Sequence, residues 1–147
     1  MPQILVDADG CPVVDETIAL AKRYGLAVTL ITDTSHIMNR DGATTITVEK
    51  GSDSADFRLV NLVRKGDIII TQDYGLAAMV LSKGGHILNQ NGSRYTNENI
   101  DSLLMSRHIG KKIRRAGGRT KGPSKRTKEQ DERFVAALEA LLRQLLA

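Results

Sequence analysis

A chain of 147 residues has the length of one domain and can bury roughly 70% of its unfolded surface. Apolar residues make up 41% but aromatics only 3%, with no Trp, so the core is aliphatic and the composition argues against base-stacking platforms. The single cysteine, Cys11, excludes an internal disulfide and a multi-cysteine zinc site. No apolar run approaches the ~20 residues that span a bilayer, and Met1-Pro2-Gln3 does not open a signal peptide. A soluble, cytoplasmic protein with no membrane partner is expected.

The net charge of +4 is unevenly distributed. Residues 1–106 carry 9 basic and 13 acidic side chains, residues 107–128 carry 10 basic and none acidic, and residues 129–147 carry 2 and 4. An acidic body is thus followed by a basic strap.

Ile4 to Val6 is an apolar run that ends in two carboxylates, Asp7 and Asp9, as a buried parallel strand does when it delivers acid to its C-terminal edge. Pro12 suits the first position of a helix over 13–24, with apolar residues at 14, 18 and 21 and Gly25 as terminator. Ala27 to Ile31 reads as a second strand, closing with Thr32-Asp33-Thr34, and β-branched Thr44 to Val48 as a third. Ser52 can cap a helix with Asp53 and Asp56 in its first turn and Phe57, Val60 and Val63 on the buried side, ending at Gly66. Asp67 to Thr71 is the most strand-like run, leading through Gln72-Asp73-Tyr74-Gly75 into a helix over 76–82. His86 to Leu88 is a fifth strand, 89–95 a turn-rich loop, and Thr96 caps a helix over 97–109.

Strands alternating with helices predict right-handed βαβ units: an α/β fold, three-layer α/β/α, with a mostly parallel five-stranded sheet. Residues 1–109 form the domain, 110–128 a basic Gly-containing linker, and 129–147 an amphipathic helix. That helix opens on a Thr127/Gln130 capping box, and its stripe of Phe134, Leu138, Leu141, Leu142 and Leu145 packs on the body or on a partner subunit, leaving homo-oligomerisation open.

Asp7, Asp9 and Asp73 follow strand ends, while Asp53 and Asp56, three residues apart, share one side of a first helical turn. If the first and fourth strands are neighbours, Asp7 and Asp73 converge at the switch point of the sheet. Clustered carboxylates repel one another unless a cation compensates them, and hard oxygen ligands favour Mg²⁺ or Mn²⁺, which can activate water and stabilise the leaving oxygen of a phosphodiester. The ordinary alternative is that aspartates at helix N-termini only cap, an even prospect for Asp33, Asp53 and Asp67. His36, His86 and His108 lack metal-ligand spacing. Cys11 lacks the Arg six residues on that a cysteine phosphatase needs, since Thr17 stands there, and reads as a packing residue. Tyr74 reads first as packing, with a substrate contact as the alternative.

Asp7-Ala-Asp9-Gly-Cys11-Pro12-Val13, Gly51-Ser-Asp53-Ser-Ala-Asp56 and Gly66-Asp67-Ile-Ile-Ile-Thr71-Gln72-Asp73-Tyr74-Gly75-Leu76-Ala77 resemble the three motifs of the bacterial YaiI/YqxD family, over almost the whole chain. Gly10 and Ser54 replace expected alanines, and neither change touches an acid. That family is similar to PIN-domain nucleases, so the resemblance implies a PIN-like fold and a metal-dependent nuclease. It implies Asp7 and Asp73 as catalytic metal ligands, with Asp9, Asp53 and Asp56 supporting them. The strap (Lys111, Lys112, Arg114, Arg115, Arg119, Lys121, Lys125, Arg126) would follow a nucleic-acid backbone, RNA by family analogy. Two rivals remain: a non-catalytic nucleic-acid-binding module, and a haloacid-dehalogenase-type phosphatase with Asp7 as nucleophile and Thr32 or Thr71 as its second-motif hydroxyl.

Overall fold

The computed structural model describes residues 1–33, 38–50, 54–115 and 125–147, with the backbone alone at 107, 108, 110, 111 and 113–115. Strand β1 (Ile4–Asp7) leads into α1 (Val14–Tyr24), β2 (Val28–Asp33), β3 (Thr44–Val48), α2 (Ser54–Leu62), β4 (Ile68–Ile70) and α3 (Tyr74–Ser82). The chain continues through β5 (His86–Leu88), β6 (Arg94–Tyr95), α4 (Ile100–Arg115) and α5 (Lys128–Leu146). The sheet order is β3-β2-β1-β4-β5-β6, parallel throughout except for the antiparallel β5–β6 pair.

The sheet therefore has six strands, one more than expected. The extra one lies within the turn-rich stretch after β5, where Asn89 Oδ1 accepts from the Asn91 and Ser93 backbone N–H groups at 2.9 and 3.0 Å. That side-chain-stapled turn reverses the chain, so that Tyr95 pairs with Ile87. A two-residue strand has no periodicity to read, and only its neighbour defines it.

Side-chain alternation along the strands divides the core between the two faces. Ile4, Val6, Leu30, Ile68, Ile70 and Leu88 face α1 and α5, while Leu5, Ile31, Ile69 and Ile87 face α2, α3 and α4. On α1, Val14, Ile18 and Ala21 are buried as the spacing predicts. Gly25 takes φ 72°, and its N–H caps the last turn of that helix. On α5, Phe134, Leu138, Leu141 and Leu142 are buried in the core cluster that contains α1, so this helix packs on its own body. Its capping box is formed: Gln130 N–H donates to Thr127 Oγ1 and Thr127 N–H to Gln130 Oε1.

Two helices depart from expectation. In α2 the buried residue is Leu59, whereas Phe57 is 59% exposed, because the helix is rotated to seat Leu59 on the sheet. Helix α4 continues past Ile109 to Arg115, since one glycine, Gly110, costs only ~1 kcal/mol in a helix and does not end it. Among the described residues no helix is long and apolar enough to cross a membrane.

Candidate functional site

The strand order reverses between β1 and β4: β2 and β3 lie to one side of β1, β4 and β5 to the other. At such a switch point the loops leaving the two central strands diverge and open a crevice beyond their carboxyl ends. Register fixes what meets there. Val6 pairs with Ile70, so the next residues, Asp7 and Thr71, stand side by side on one face of the sheet.

Thr71, 2% exposed, joins two of the expected acids. Its Oγ1 accepts from the Asp73 backbone N–H at 3.0 Å, which directs its own proton to Asp7 Oδ2 at 2.8 Å. Asp73 is the N-cap of α3, its Oδ1 accepting from the N–H groups of Gly75 and Leu76 at 2.8 and 3.1 Å. Asp73 thus both caps a helix and stands at the crevice. Across β1, Asp9 is fastened to the end of β2. Thr32 Oγ1 donates to Asp9 Oδ1, and Asp33 N–H donates to Asp9 Oδ2 at 3.0 Å. The two hydroxyls considered for a phosphatase second motif are therefore both turned onto carboxylates.

Asp7, Asp9, Gly10, Gln72, Asp73 and Tyr74 line a cavity of about 520 Å³. Gln72 Nε2 donates to Gly10 O at 3.2 Å, tying the loop after β4 to the loop after β1 across the crevice. None of the described residues lining it is basic. Burial raises Asp7 to about pKa 6 against the Thr71 hydrogen bond, the second-largest effect, and the charges of Asp56, Asp73 and Asp9 add to the rise. Asp56, on the first turn of α2, thus belongs to the same electrostatic cluster. Asp53 lies outside the described residues. Among the described residues, no group of three or more His, Cys, Asp or Glu side chains is gathered closely enough to hold a metal by itself.

Cys11 packs against the core, and burial pushes its thiol up, the opposite of an activated thiolate. His86 Nδ1 lies 2.7 Å from Arg94 Nη2, with burial and that guanidinium holding its pKa down; it is a partner within the β5–β6 edge. Asp67 is buried and accepts from Gln3 and from the Arg64 backbone, which makes it structural.

Of the strap residues, Lys112 and Lys125 are exposed, and Arg119 and Lys121 lie outside the described residues; for Lys111, Arg114 and Arg115 only the helix backbone is described. Arg126 is engaged within the fold. It donates to Asp131 Oδ1 at 2.6 Å, Asn91 Oδ1 at 2.8 Å and Gln90 O at 2.6 Å, locking the start of α5 to the β5–β6 turn. Sequence reading missed this clamp, and it missed Gln72. Two of the clamp's three acceptors, Asn91 and Gln90, are 35 and 36 residues away and leave no sequence signal; only Asp131 is near in the chain.

Fold and site define a doubly wound α/β protein with an acidic crevice at the switch point of its sheet. The chain belongs to the uncharacterized bacterial YaiI/YqxD family, whose model matches residues 5–144. It is 55% identical over 140 residues to a UPF0178 protein of Exiguobacterium sibiricum, covering 95% of this chain and 96% of that one. It is 58% identical over 136 residues to a UPF0178 protein of Ruminiclostridium cellulolyticum, covering 92% and 89%, and 46% identical over 143 residues to one of Bacillus cereus, covering 95% and 98%. No solved structure matches the chain.

Proposed function

We propose that this protein is a PIN-like, Mg²⁺- or Mn²⁺-dependent nuclease that cleaves RNA, with Asp7 and Asp73 as its principal metal ligands and Asp56 and Asp53 supporting them. The observation that carries this reading is Asp7. It is a carboxylate at the switch point raised to about pKa 6 by burial and by three neighbouring acids, in a cavity that Asp9 and Asp73 line with it.

The donor set fits a hard cation. Mg²⁺ keeps several waters and takes only one or two protein carboxylates together with substrate phosphate, so a tight three-residue cage is not required. Thr71 holds Asp7 by Oδ2, and among the described residues Asp7 Oδ1 accepts no hydrogen bond. The Gly75 and Leu76 N–H groups hold Asp73 by Oδ1, so the backbone fixes the second carboxylate. Asp9, held through both oxygens by Thr32 and Asp33, acts in this reading as a brace between β1 and β2. Bound there, a divalent ion supplies Lewis-acid polarisation of a phosphodiester and a lowered pKa for attacking water. The strap residues Lys111, Lys112, Arg114, Arg115, Arg119, Lys121 and Lys125 neutralise neighbouring phosphates without reading bases; Arg126, engaged in its clamp, is removed from that set.

The test is cleavage of single-stranded RNA in Mn²⁺ by the native protein, Asp7→Asn and Asp73→Asn. Cleavage by the native chain, lost in both variants, is the expected result. Equal cleavage by all three refutes the ligand assignment. Salt-sensitive binding without cleavage replaces the nuclease by a nucleic-acid-binding module.

A further inference from the structure

With five aromatic residues in the chain, the position of each ring is informative. Phe134 and Tyr95 are core residues at 0% and 3% exposure, and Tyr24 accepts a hydrogen bond from Arg143 at the α1–α5 contact. Phe57 is exposed on α2 but does not line the acidic cavity. Tyr74 does line it, and it is the only aromatic among the described lining residues.

Its setting is that of a fixed wall. Tyr74 is the first residue of α3, directly after the N-cap Asp73, so the capping bonds that hold the carboxylate also hold the ring's backbone. The ring is half-buried and meets Tyr95 edge-to-face, with centroids 5.6 Å apart and planes at 66°. Tyr95 is itself immobilised in strand β6. An aromatic ring held on one side by the core and bordering a cavity on another is preorganised to receive a flat, π-faced group at little entropic cost.

We propose that Tyr74 stacks one unpaired nucleobase, placing its nucleotide beside the carboxylates of the crevice and making single-stranded nucleic acid the substrate class. The inference rests on the nuclease reading of that crevice. It goes beyond it by naming a positioning residue and the structural state of the ligand. A base stacked in a duplex offers no open face to Tyr74, whereas an unpaired base does. One ring provides for one base and no platform for several, which agrees with the low aromatic content. Stacking also tolerates any base identity, so recognition remains one of strandedness and charge.

The absence of Trp from the chain permits a direct optical test. Tyr74→Trp introduces the only indole, whose fluorescence is quenched when a base stacks on it. The measurements are made in Ca²⁺, an oxygen-seeking ion of looser geometry than Mg²⁺. The ligands are a short single-stranded oligoribonucleotide, the same length carrying abasic sites throughout, and the corresponding duplex.

The expected result is quenching of Tyr74→Trp by the single strand alone. Native protein and Tyr74→Phe should bind that strand equally, with Tyr74→Ala about 5- to 100-fold weaker. Thermal melting of each variant separates lost stacking from lost folding, and the Trp signal needs no Ala variant. Binding of the abasic strand as tight as the natural one, equal binding by a folded Tyr74→Ala, loss of binding in Tyr74→Phe, or no strand bound at all overturns the stacking role. Cleavage by the Asp7 and Asp73 variants judges the crevice separately, so the two readings fail by different measurements.

Discussion

Asp7→Asn removes the charge from a strongly perturbed carboxylate while keeping its shape and an oxygen to accept the Thr71 hydroxyl. Folding raises this group from 3.8 to about 6, chiefly by burial and then by the charges of Asp56, Asp73 and Asp9. The folded state therefore holds the Asp7 proton more tightly than the unfolded chain. Stability falls as pH rises from about 4 to 6, and above that window the metal-free fold carries the whole penalty. At 1.36 kcal/mol per pKa unit the penalty is ~3 kcal/mol. In EDTA at pH 8, Asp7→Asn should accordingly exceed the native protein in stability by up to about 3 kcal/mol, or ~6–12 °C in Tm. The gain should shrink through pH 6 and vanish near pH 4. Urea unfolding of both proteins at pH 8, 6 and 4 measures it. An Asn variant less stable than native at pH 8, or a difference that does not change with pH, refutes the placement of a buried, crowded carboxylate at the end of β1.

Other consequences lie outside the crevice. Arg126→Ala breaks the clamp onto Asp131, Asn91 and Gln90 and should cost about 1–3 kcal/mol in urea unfolding, with hydrogen exchange rising first in the β5–β6 turn and the start of α5. Gly92 has φ +86°, and a Cβ there would come within 2.8 Å of the Arg133 carbonyl and 2.9 Å of Ala137 Cβ. Gly92→Ala should displace α5 and cost about 1–3 kcal/mol by the same assay. Replacing Arg114, Arg115 and Arg119 together by Ala should weaken RNA binding and lower its salt slope by about 2, as read by titrations at several salt concentrations; an unchanged slope removes these residues from the interface.

The central strands were legible because burial on both faces leaves unbroken apolar runs, and Ile4–Val6 and Ile68–Ile70 are such runs. The acids that follow them were legible for the same reason: an abrupt change from apolar to charged marks a strand end. The neighbouring of β1 and β4, on which the convergence of Asp7 and Asp73 depended, is a property of topology and emerged only from the sheet order. Features made by distant partners were not legible. Strand β6 exists through β5, the burial of Leu59 in place of Phe57 is set by the rotation of α2 on the sheet, and Arg126 reads as one more charge in a basic run until its acceptors are in place. Thr71 is intermediate, since its side-by-side placement with Asp7 follows from two-residue alternation once the register is known.

The most direct test of a metal-assisted crevice is anomalous diffraction from crystals of the native protein and of Asp7→Asn soaked in Mn²⁺. A manganese peak in contact with Asp7 and Asp73 in the native crystals, absent from the variant, is the expected result. Native crystals with no peak at the crevice, or an equal peak in Asp7→Asn, would contradict the proposal that these two strand-end carboxylates hold the catalytic metal.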